Sequence, residues 1–284
     1  MKELYQRFKS GSDKFCLLQL RWESNFSIEQ TRHHKHQLEQ ASASGKQAWI
    51  LFRYNGTHAK SIVFSELKIP SNSDPTQIIS FLNYRLTDLT SQGLHTKILK
   101  VFLRAKKNAT EPYYDITEHL FDCLDGDLKV AKALSGREIF VLWIKVNPDQ
   151  PYDLLTNEGA QRLIEKIYQP YFRLFSDYFG KTIDGIQIQP LDLLDYTGYN
   201  DQIPWTADLP EFFLQTKKYD LLKYIGLLFY ETYDSATLRH DFWHALTQLC
   251  SLRYVSTIRE WAHAHGVKLA VSQPLIYTHS IEML

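Results

Sequence analysis

Two segments of the chain place a glutamine directly before a proline at the end of a short apolar run. The first segment is 184–190, with Gln189, and the second is 267–274, with Gln273. Each follows a long helical pattern, so each predicts a strand whose carboxyl end lies at one rim of a parallel βα sheet. Amide side chains at such a rim would exchange hydrogen bonds with a polar ligand. Taken alone, two such glutamines are more typical of ordinary polar residues that close a strand.

A second group of residues could form a surface that binds sugars. Sugar rings stack their C–H faces on aromatic rings, and their hydroxyls bond to amides and guanidinium groups. Trp22 and Arg53 stand at predicted strand ends, and Trp205 stands in a polar loop. The alternative, a tryptophan in the core and an arginine in an ion pair, fits each member equally well. The predicted substrate-binding residues are Trp22, Arg53, Asn55, Trp205 and Tyr219.

Several carboxylates near these segments are alternative candidates for acid–base chemistry. Aspartate favours turns and acidic residues favour the first turn of a helix, so each is more simply interpreted as a turn or helix-start residue. The candidates are Glu23, Asp192, Asp195, Asp201, Asp208 and Glu211.

Histidines cluster at two places, and neither place predicts a metal site. His33, His34 and His36 crowd one predicted helix. His240 and His244 have the i, i+4 spacing of a metal-binding pair but lack the glutamate of the His-Glu-x-x-His motif. The sequence also lacks a phosphate-binding glycine loop, a Gly-x-Ser-x-Gly elbow and a Cys–His nucleophile signature. We therefore expect neither a metal ion nor a cofactor.

Composition and charge exclude several classes of partner. Among 284 residues, 32 lysines and arginines balance 32 aspartates and glutamates, so no overall field attracts nucleic acid or an anionic membrane. No apolar window is long enough to cross a bilayer, and residues 1–15 lack an apolar run of signal-peptide length. Cys16, Cys123 and Cys250 are widely spaced and odd in number, which indicates reduced thiols. We expect a cytoplasmic protein with no nucleic-acid or membrane partner.

Predicted strands and helices alternate over most of the chain. Ser27 is predicted to cap a helix that Gly45 ends, and Gly93 and Gly266 end two later helices. A polar stretch, 104–136, interrupts the alternation and predicts a hairpin or a short helix. The predicted strands are 16–22, 48–54, 97–103, 138–146, 184–190 and 267–274, and the predicted helices are 28–44, 76–92, 157–179, short segments within 209–230, and 235–265.

Five longer motifs lie in the second half of the chain. They are Tyr178 to Gly185, Ile203 to Thr206, Phe212 to Tyr224 with its Lys-Lys-Tyr-Asp-Leu-Leu core, Arg239 to Trp243, and Trp261 to Lys268. Together they resemble the large TIM-barrel glycoside hydrolases related to α-L-rhamnosidases. The resemblance is most specific from residue 152 to residue 274 and looser from 22 to 103.

This resemblance implies that the two glutamines stand where the family has its catalytic acids. Family members carry Asp-Glu-Pro where this chain has Ile188, Gln189 and Pro190, and an acid where it has Gln273. Glycoside hydrolysis uses two carboxyl groups, and glutamine can neither ionise nor give up a proton. General acid or base catalysis alone is worth about 10² to 10⁴ in rate. The resemblance therefore implies a catalytically degenerate protein with a carbohydrate-binding or scaffolding role.

Two other functions stay open on the sequence. An active glycoside hydrolase could use relocated acids, which would require two carboxylates about 5 to 10 Å apart in the cleft. A protein–protein interaction module would instead have a cleft filled by side chains and its working surface at an open sheet edge.

The expected fold is α/β, an incomplete (β/α) TIM-barrel-like domain. The sequence predicts five or six regular strands, whereas a complete barrel has eight. We expect one domain over 1–284, with insertions at 104–136 and 191–234. The missing strands would leave an open sheet edge, and open edges with exposed apolar surface favour association. We therefore expect a homo-oligomer, or a complex with another subunit, across that edge.

Overall fold

The chain divides into two compact units, each with its own sheet. The computed structural model describes residues 15–20, 27–52, 59–91, 97–104, 113–147, 152–188, 202–229 and 234–271. The first unit comprises Met1–Thr57, Tyr152–Asp195 and Gln248–Leu284, and the second comprises His58–Pro151 and Tyr196–Thr247. None of the helices in the described ranges is both long and apolar enough to span a membrane.

The strands and α-helices follow one another in a mixed order. In chain order they are β1 (Phe15–Leu20), α1 (Ile28–Ala43), β2 (Gln47–Phe52), β3 (Lys60–Lys68), α2 (Pro75–Ser91), β4 (Lys97–Arg104), β5 (Tyr113–Asp115), α3 (Thr117–Leu124), α4 (Leu128–Leu134), β6 (Glu138–Val146), α5 (Asn157–Leu163), α6 (Gln169–Phe175), β7 (Ile183–Ile188), β8 (Gln202–Pro204), α7 (Leu209–Lys217), α8 (Leu221–Tyr224), α9 (Ser235–Cys250), α10 (Ser256–Ala264) and β9 (Lys268–Val271). Short 3₁₀ turns lie at Ser176–Tyr178 and Ile225–Leu228.

The first unit holds a parallel sheet of four strands in the order β1, β2, β7, β9. Parallel neighbours need a crossover connection, and helices α1, α6 and α10 end shortly before β2, β7 and β9. Strand β2 is buried from Ala48 to Phe52, as expected for an inner strand of a parallel sheet.

Helix α1 begins where the sequence predicts. The backbone N–H of Gln30 donates to the Ser27 hydroxyl, and the N–H of Ser27 donates to the Gln30 side chain, which forms a capping box. His34, Leu38 and Ala41 are buried at helical spacing on one face. The predicted helix with its Ser27 cap is therefore confirmed.

Two of the predicted long helices contain a π-helical turn. Ile164–Tyr168 separates α5 from α6, and Ser251–Val255 separates α9 from α10. Each turn carries a buried tyrosine, Tyr168 and Tyr254. A π-helical turn breaks the 3.6-residue period, so periodicity alone does not predict which side chains beyond it face the sheet.

Two glycines form the turns that lead into β7 and β9. Gly180 and Gly266 have φ values of 70° and 72°, in the left-handed region that favours glycine. A Cβ on Gly180 would lie 3.3 Å from the carbonyl oxygen of Gly266. The two turns therefore pack backbone against backbone, and the left-handed φ at both positions would strain a residue with a side chain.

The second unit holds an antiparallel sheet of five strands in the order β5, β4, β6, β3, β8. Strands β3 and β6 pair along their whole length, from Lys60 opposite Val146 to Lys68 opposite Glu138. One face of this sheet forms a core with helices α2, α3 and α4. Buried members of that core include Leu67, Ile78, Leu82, Val101, Leu120, Ala131, Leu134, Val141 and Trp143.

The predicted incomplete (β/α) barrel is wrong. Strand β3 was absent from the prediction, and β4 and β6, which were expected in the barrel, pair antiparallel with each other. Antiparallel neighbours do not belong to a parallel barrel. The described part of the chain is α/β with one parallel and one antiparallel sheet, and it forms no parallel barrel. A sequence pattern identifies a strand, but it does not give the direction of the strand beside it.

Cys123 and Cys250 are buried and free. Burial raises the pKa of both thiols, that of Cys250 to about 12. Both thiols are therefore protonated at neutral pH and are poor nucleophiles.

His34 is a buried ionisable side chain of α1. It is 8% exposed, and its Nδ1 lies 3.4 Å from the hydroxyl of Tyr171, whose ring it meets edge-on. Burial lowers the pKa of His34, and the neighbouring His33 lowers it further. The folded chain therefore keeps His34 neutral at a pH at which the unfolded chain protonates it.

We expect the fold to lose stability as the pH falls below about 6.5, the pKa of histidine in an unfolded chain. In His34→Gln the free energy of unfolding should depend less on pH, because position 34 takes up no proton on unfolding. Urea unfolding between about pH 7.5 and about pH 5 measures this dependence. His36→Gln, at an exposed position of the same helix, is the control. Equal pH dependence in His34→Gln and the unchanged chain would contradict the prediction.

Candidate functional site

The four parallel strands end at one row of the sheet. Leu20 pairs with Phe52, Phe52 pairs with Ile188, and Ile188 pairs with Val271. Each of these four residues is the last of its strand, and we call them the terminal row. Because the strands are parallel, the chain leaves all four of them at the same edge of the sheet.

Five of the predicted site residues come one to three residues after the terminal row in the sequence. They are Trp22, Arg53, Asn55, Gln189 and Gln273, and all five lie outside the described residues. Their convergence at the shared edge therefore stays a prediction.

An aromatic layer supports the terminal row from one face of the sheet. The Phe52 ring stacks on Tyr168 with the ring centroids 4.2 Å apart, and it meets Tyr171 edge-on at 5.8 Å. Tyr168 in turn meets Trp261 at 5.4 Å, and the Trp261 indole donates to the Gln169 side chain at 3.0 Å. Burial raises the pKa of both tyrosines, so neither phenol ionises near neutral pH. This layer is structural and holds the strand ends in place.

The opposite face of the sheet carries a tryptophan and an amide. Side chains alternate along a strand, so Trp49 and Leu51 share this face with their partners on β7, Gly185 and Gln187. Three atoms of the Trp49 ring lie 2.7 to 2.8 Å from the position that a Cβ on Gly185 would take. The indole lies this close to β7 because residue 185 has no side chain.

A carboxylate lies near the other end of the same strands. Lys268 Nζ contacts both carboxylate oxygens of Asp184, at 3.0 and 3.1 Å. Asp184 is 17% exposed and stands four residues before Ile188, which corresponds to about 13 Å along the strand. This acid is paired and is remote from the terminal row.

The other two predicted binding residues, Trp205 and Tyr219, belong to the second unit. Trp205 is 3% exposed, and its backbone N–H donates to the carbonyl of Lys60. This is the core position that the sequence left open as an alternative. Tyr219 is half-buried, and its hydroxyl donates to Asp241 at 3.0 Å.

Asp241 joins helices α7 and α9 within the second unit. Lys217 Nζ lies 2.9 Å from its carboxylate, which also accepts the Tyr219 hydroxyl. Burial acts to raise the pKa of Asp241, but the bonds from Lys217 and Tyr219 outweigh burial, and the pKa is lowered. Burial and the bond to Asp241 raise the pKa of Tyr219 to about 12. The cluster thus holds Asp241 ionised and Tyr219 neutral, and it fixes the end of α7 on α9.

The acids that flank Trp205 take structural positions. Asp208 precedes α7 and accepts the Thr206 hydroxyl at 3.0 Å. Glu211 stands in the first turn of α7 and accepts from the Gln215 amide at 3.2 Å. The remaining candidate acids, Glu23, Asp192, Asp195 and Asp201, lie outside the described residues.

The histidine pair of α9 does not assemble a metal centre. The rings of His240 and His244 lie 6.3 Å apart, and His240 Nδ1 lies 3.5 Å from Asp241. Burial and the charge of Lys217 lower the pKa of His244. Within the described ranges, no group of three or more histidine, cysteine or acidic side chains could hold a metal ion.

Sequence reasoning did not single out Trp49 or Asp241. A signal for Trp49 was present, because Gly185 inside an apolar strand indicates close approach by another group. Asp241 had no such local signal, since its partners come from a different helix and from the turn after it.

Comparisons with known proteins give a distant likeness to a solved structure. No protein-family model matches the chain, and no curated protein sequence matches it. Among solved structures, the chain is similar to a rhamnosidase from Novosphingobium sp. PP1Y, with a TM-score of 0.37 and 18% sequence identity. The match covers 56% of this chain and 16% of the rhamnosidase chain. Because the likeness is distant and partial, the activity of that enzyme does not transfer to this chain.

Gly185→Ala should destabilise the first unit, because the added methyl group would collide with the Trp49 ring. Overpacking of a filled site costs about 1 to 3 kcal/mol in free energy of unfolding. Urea unfolding of Gly185→Ala beside the unchanged chain measures this loss.

A double-mutant cycle with Trp49→Ala separates the collision from other effects of the substitution. Once the ring is removed, Gly185→Ala should cost much less than it does in the unchanged chain. The same cost in both backgrounds would show that the Trp49 ring is not the group that requires glycine.

Proposed function

We propose that this chain binds carbohydrate at the carboxyl edge of its parallel sheet and does not hydrolyse glycosidic bonds. The observation that supports the proposal is the terminal row, in which four strand ends stand side by side in register. Ligand sites of parallel sheets form at this edge, because the segments that follow neighbouring strands meet there.

The residues that follow the terminal row in the sequence suit a ligand rich in hydroxyl groups. Aromatic rings supply stacking surface, and guanidinium, amide and hydroxyl groups supply hydrogen bonds. Among the three residues that follow each strand in the sequence, Glu23 is the one carboxylate. The residues are Arg21, Trp22, Glu23, Arg53, Tyr54, Asn55, Gln189, Pro190, Leu191, Ser272, Gln273 and Pro274.

The absence of hydrolysis follows from the chemistry of the amide group. Gln189 and Gln273 can bond to sugar hydroxyls but can neither protonate a leaving oxygen nor attack the sugar. Described acids do not replace them: Asp184 is paired with Lys268 at the far end of β7, and Asp208 and Glu211 serve helix α7. Binding without turnover is the function that this arrangement favours.

We expect the chain to bind sugars from a panel of methyl glycosides, rhamnosides included, and to release no aglycone from the matching aryl glycosides. Saturation-transfer NMR reports binding on the sugar signals, and absorbance of the freed phenol reports hydrolysis. Gln189→Ala and Gln273→Ala should each weaken binding by about 2- to 10-fold, the value of one hydrogen bond.

The control is Gln40→Ala, an exposed amide on α1, which should leave sugar binding unchanged. Hydrolysis by the unchanged chain would overturn the proposal and would favour relocated acids among Glu23, Asp192, Asp195 and Asp201. Hydrolysis only in a Gln189→Glu/Gln273→Glu variant would place both glutamines in a disabled active site, as proposed. No binding of any sugar would also overturn it.

Association through strand β9 is a second candidate function. In the described part of the chain β9 pairs only with β7, and Leu269, Ala270 and Val271 are partly exposed. Parallel sheets are normally covered, so an edge of this kind favours pairing with a second copy. We expect sedimentation velocity to show a concentration-dependent dimer, and a monomer across a wide concentration range would contradict this.

A further inference from the structure

Strand β7 carries a polar side chain, Gln187, within an apolar sheet. Inner strands of parallel sheets are usually apolar throughout, and β2 follows this rule from Ala48 to Phe52. In β7, by contrast, Gln187 stands between Ile186 and Ile188, which are both 0% exposed. Departures from such local rules concentrate at functional sites. Gln187 is therefore a candidate for a role that packing does not explain.

The Gln187 side chain lies on the face of the sheet opposite the aromatic layer. Phe52 stacks on Tyr168 and pairs with Ile188, so Ile188 shares the face that carries this layer. Because side chains alternate along a strand, Gln187 points to the other face. It is partly exposed, so a solute can reach its amide group. This accessibility distinguishes Gln187 from the buried residues on either side of it in β7.

The residues beside Gln187 on the neighbouring strands are apolar. Gln187 stands between Leu51 on β2 and Ala270 on β9. The side chain of Ala270 is a single methyl group, and Ala270 is itself partly exposed. The surface over β9 is therefore low beside the amide, and a small ring that rests on Ala270 has its edge next to Gln187.

We infer that the Gln187 side chain exchanges hydrogen bonds with the hydroxyl groups of a sugar bound against β7 and β9. The inference rests on the carbohydrate binding proposed above, and it extends that site from the carboxyl edge onto the face of the sheet. A carboxamide both donates and accepts, as sugar hydroxyls do. Gln187 comes two residues before Gln189, and two residues of an extended strand span about 7 Å. We therefore expect one sugar unit to bond to both amides.

Binding of monodeoxy sugars to Gln187→Leu tests this inference, because leucine keeps most of the volume of glutamine and removes the amide. The probe is the methyl glycoside of the panel with the strongest saturation-transfer signal. Its Kd should rise by about 2- to 10-fold in Gln187→Leu. One of its monodeoxy analogues should bind the unchanged chain more weakly by a similar factor and should lose nothing further in Gln187→Leu, since the bond is already absent. Additive losses for every analogue would overturn the inference.

Gln47→Leu is the matched control. It makes the same substitution at the exposed first residue of β2, five residues before Phe52 and about 17 Å away along the strand. This variant should bind the methyl glycoside and its deoxy analogues as the unchanged chain does. Thermal unfolding checks that both variants are folded. If Gln187→Leu does not fold, Gln187→Ala takes its place in every measurement.

The side-chain amide signals of the ¹⁵N-labelled chain give a second readout, which a purely structural role of Gln187 would not change. The Gln187 signals, identified by their loss in Gln187→Leu, should shift when the methyl glycoside is added, while those of Gln47 stay in place. If the sugar binds, an unchanged Kd in Gln187→Leu or unshifted Gln187 signals overturn the inference while the proposed function stands. If no sugar of the panel binds the unchanged chain, both fail.

Discussion

The contact between the Trp49 ring and Gly185 is the constraint on which the register of the parallel sheet depends. Strand β7 has one more residue than β2 between the pair Ala48–Ile183 and the pair Trp49–Gly185, and pairing is regular from there to the terminal row. A slip of one residue would exchange the two faces of a strand and would place an apolar residue where Gln187 now stands. Gly185 leaves room for the Trp49 indole, and the register that this contact requires also fixes the face of the sheet on which the Gln187 side chain lies.

The extra residue in β7 also accounts for the position of the carboxylate in the parallel sheet. Asp184 is the extra residue of β7, and its carboxylate bonds to Lys268 at the start of β9. Ionisable groups are consequently paired at the amino ends of the strands, whereas the sequence puts amides after the carboxyl ends. An exposed ion pair adds little to stability. Pairing does, however, remove this carboxylate from the set of groups that could act on a ligand.

Local signals made much of the secondary structure predictable and left the sheets unpredictable. The capping box at Ser27 and the apolar run of β6 mark their elements in the sequence, and both lie where expected. Strand β3 was not predicted, and its antiparallel pairing with β6 depends on contacts far along the chain. The barrel expectation failed for that reason. The candidate site was predictable as a set of residue types after strand ends, but the Trp49–Gly185 contact depends on which strands are neighbours.

At the carboxyl edge of the parallel sheet, the proposed chemistry depends on the difference between a glutamine and a glutamate side chain. A glutamine keeps the shape and the hydrogen-bonding reach of a glutamate, but it has no proton to transfer and no charge to stabilise a cationic transition state. The affinity of the proposed site would come from several such bonds acting together with the guanidinium of Arg53 and the stacking rings. Sites of this kind favour binding over turnover.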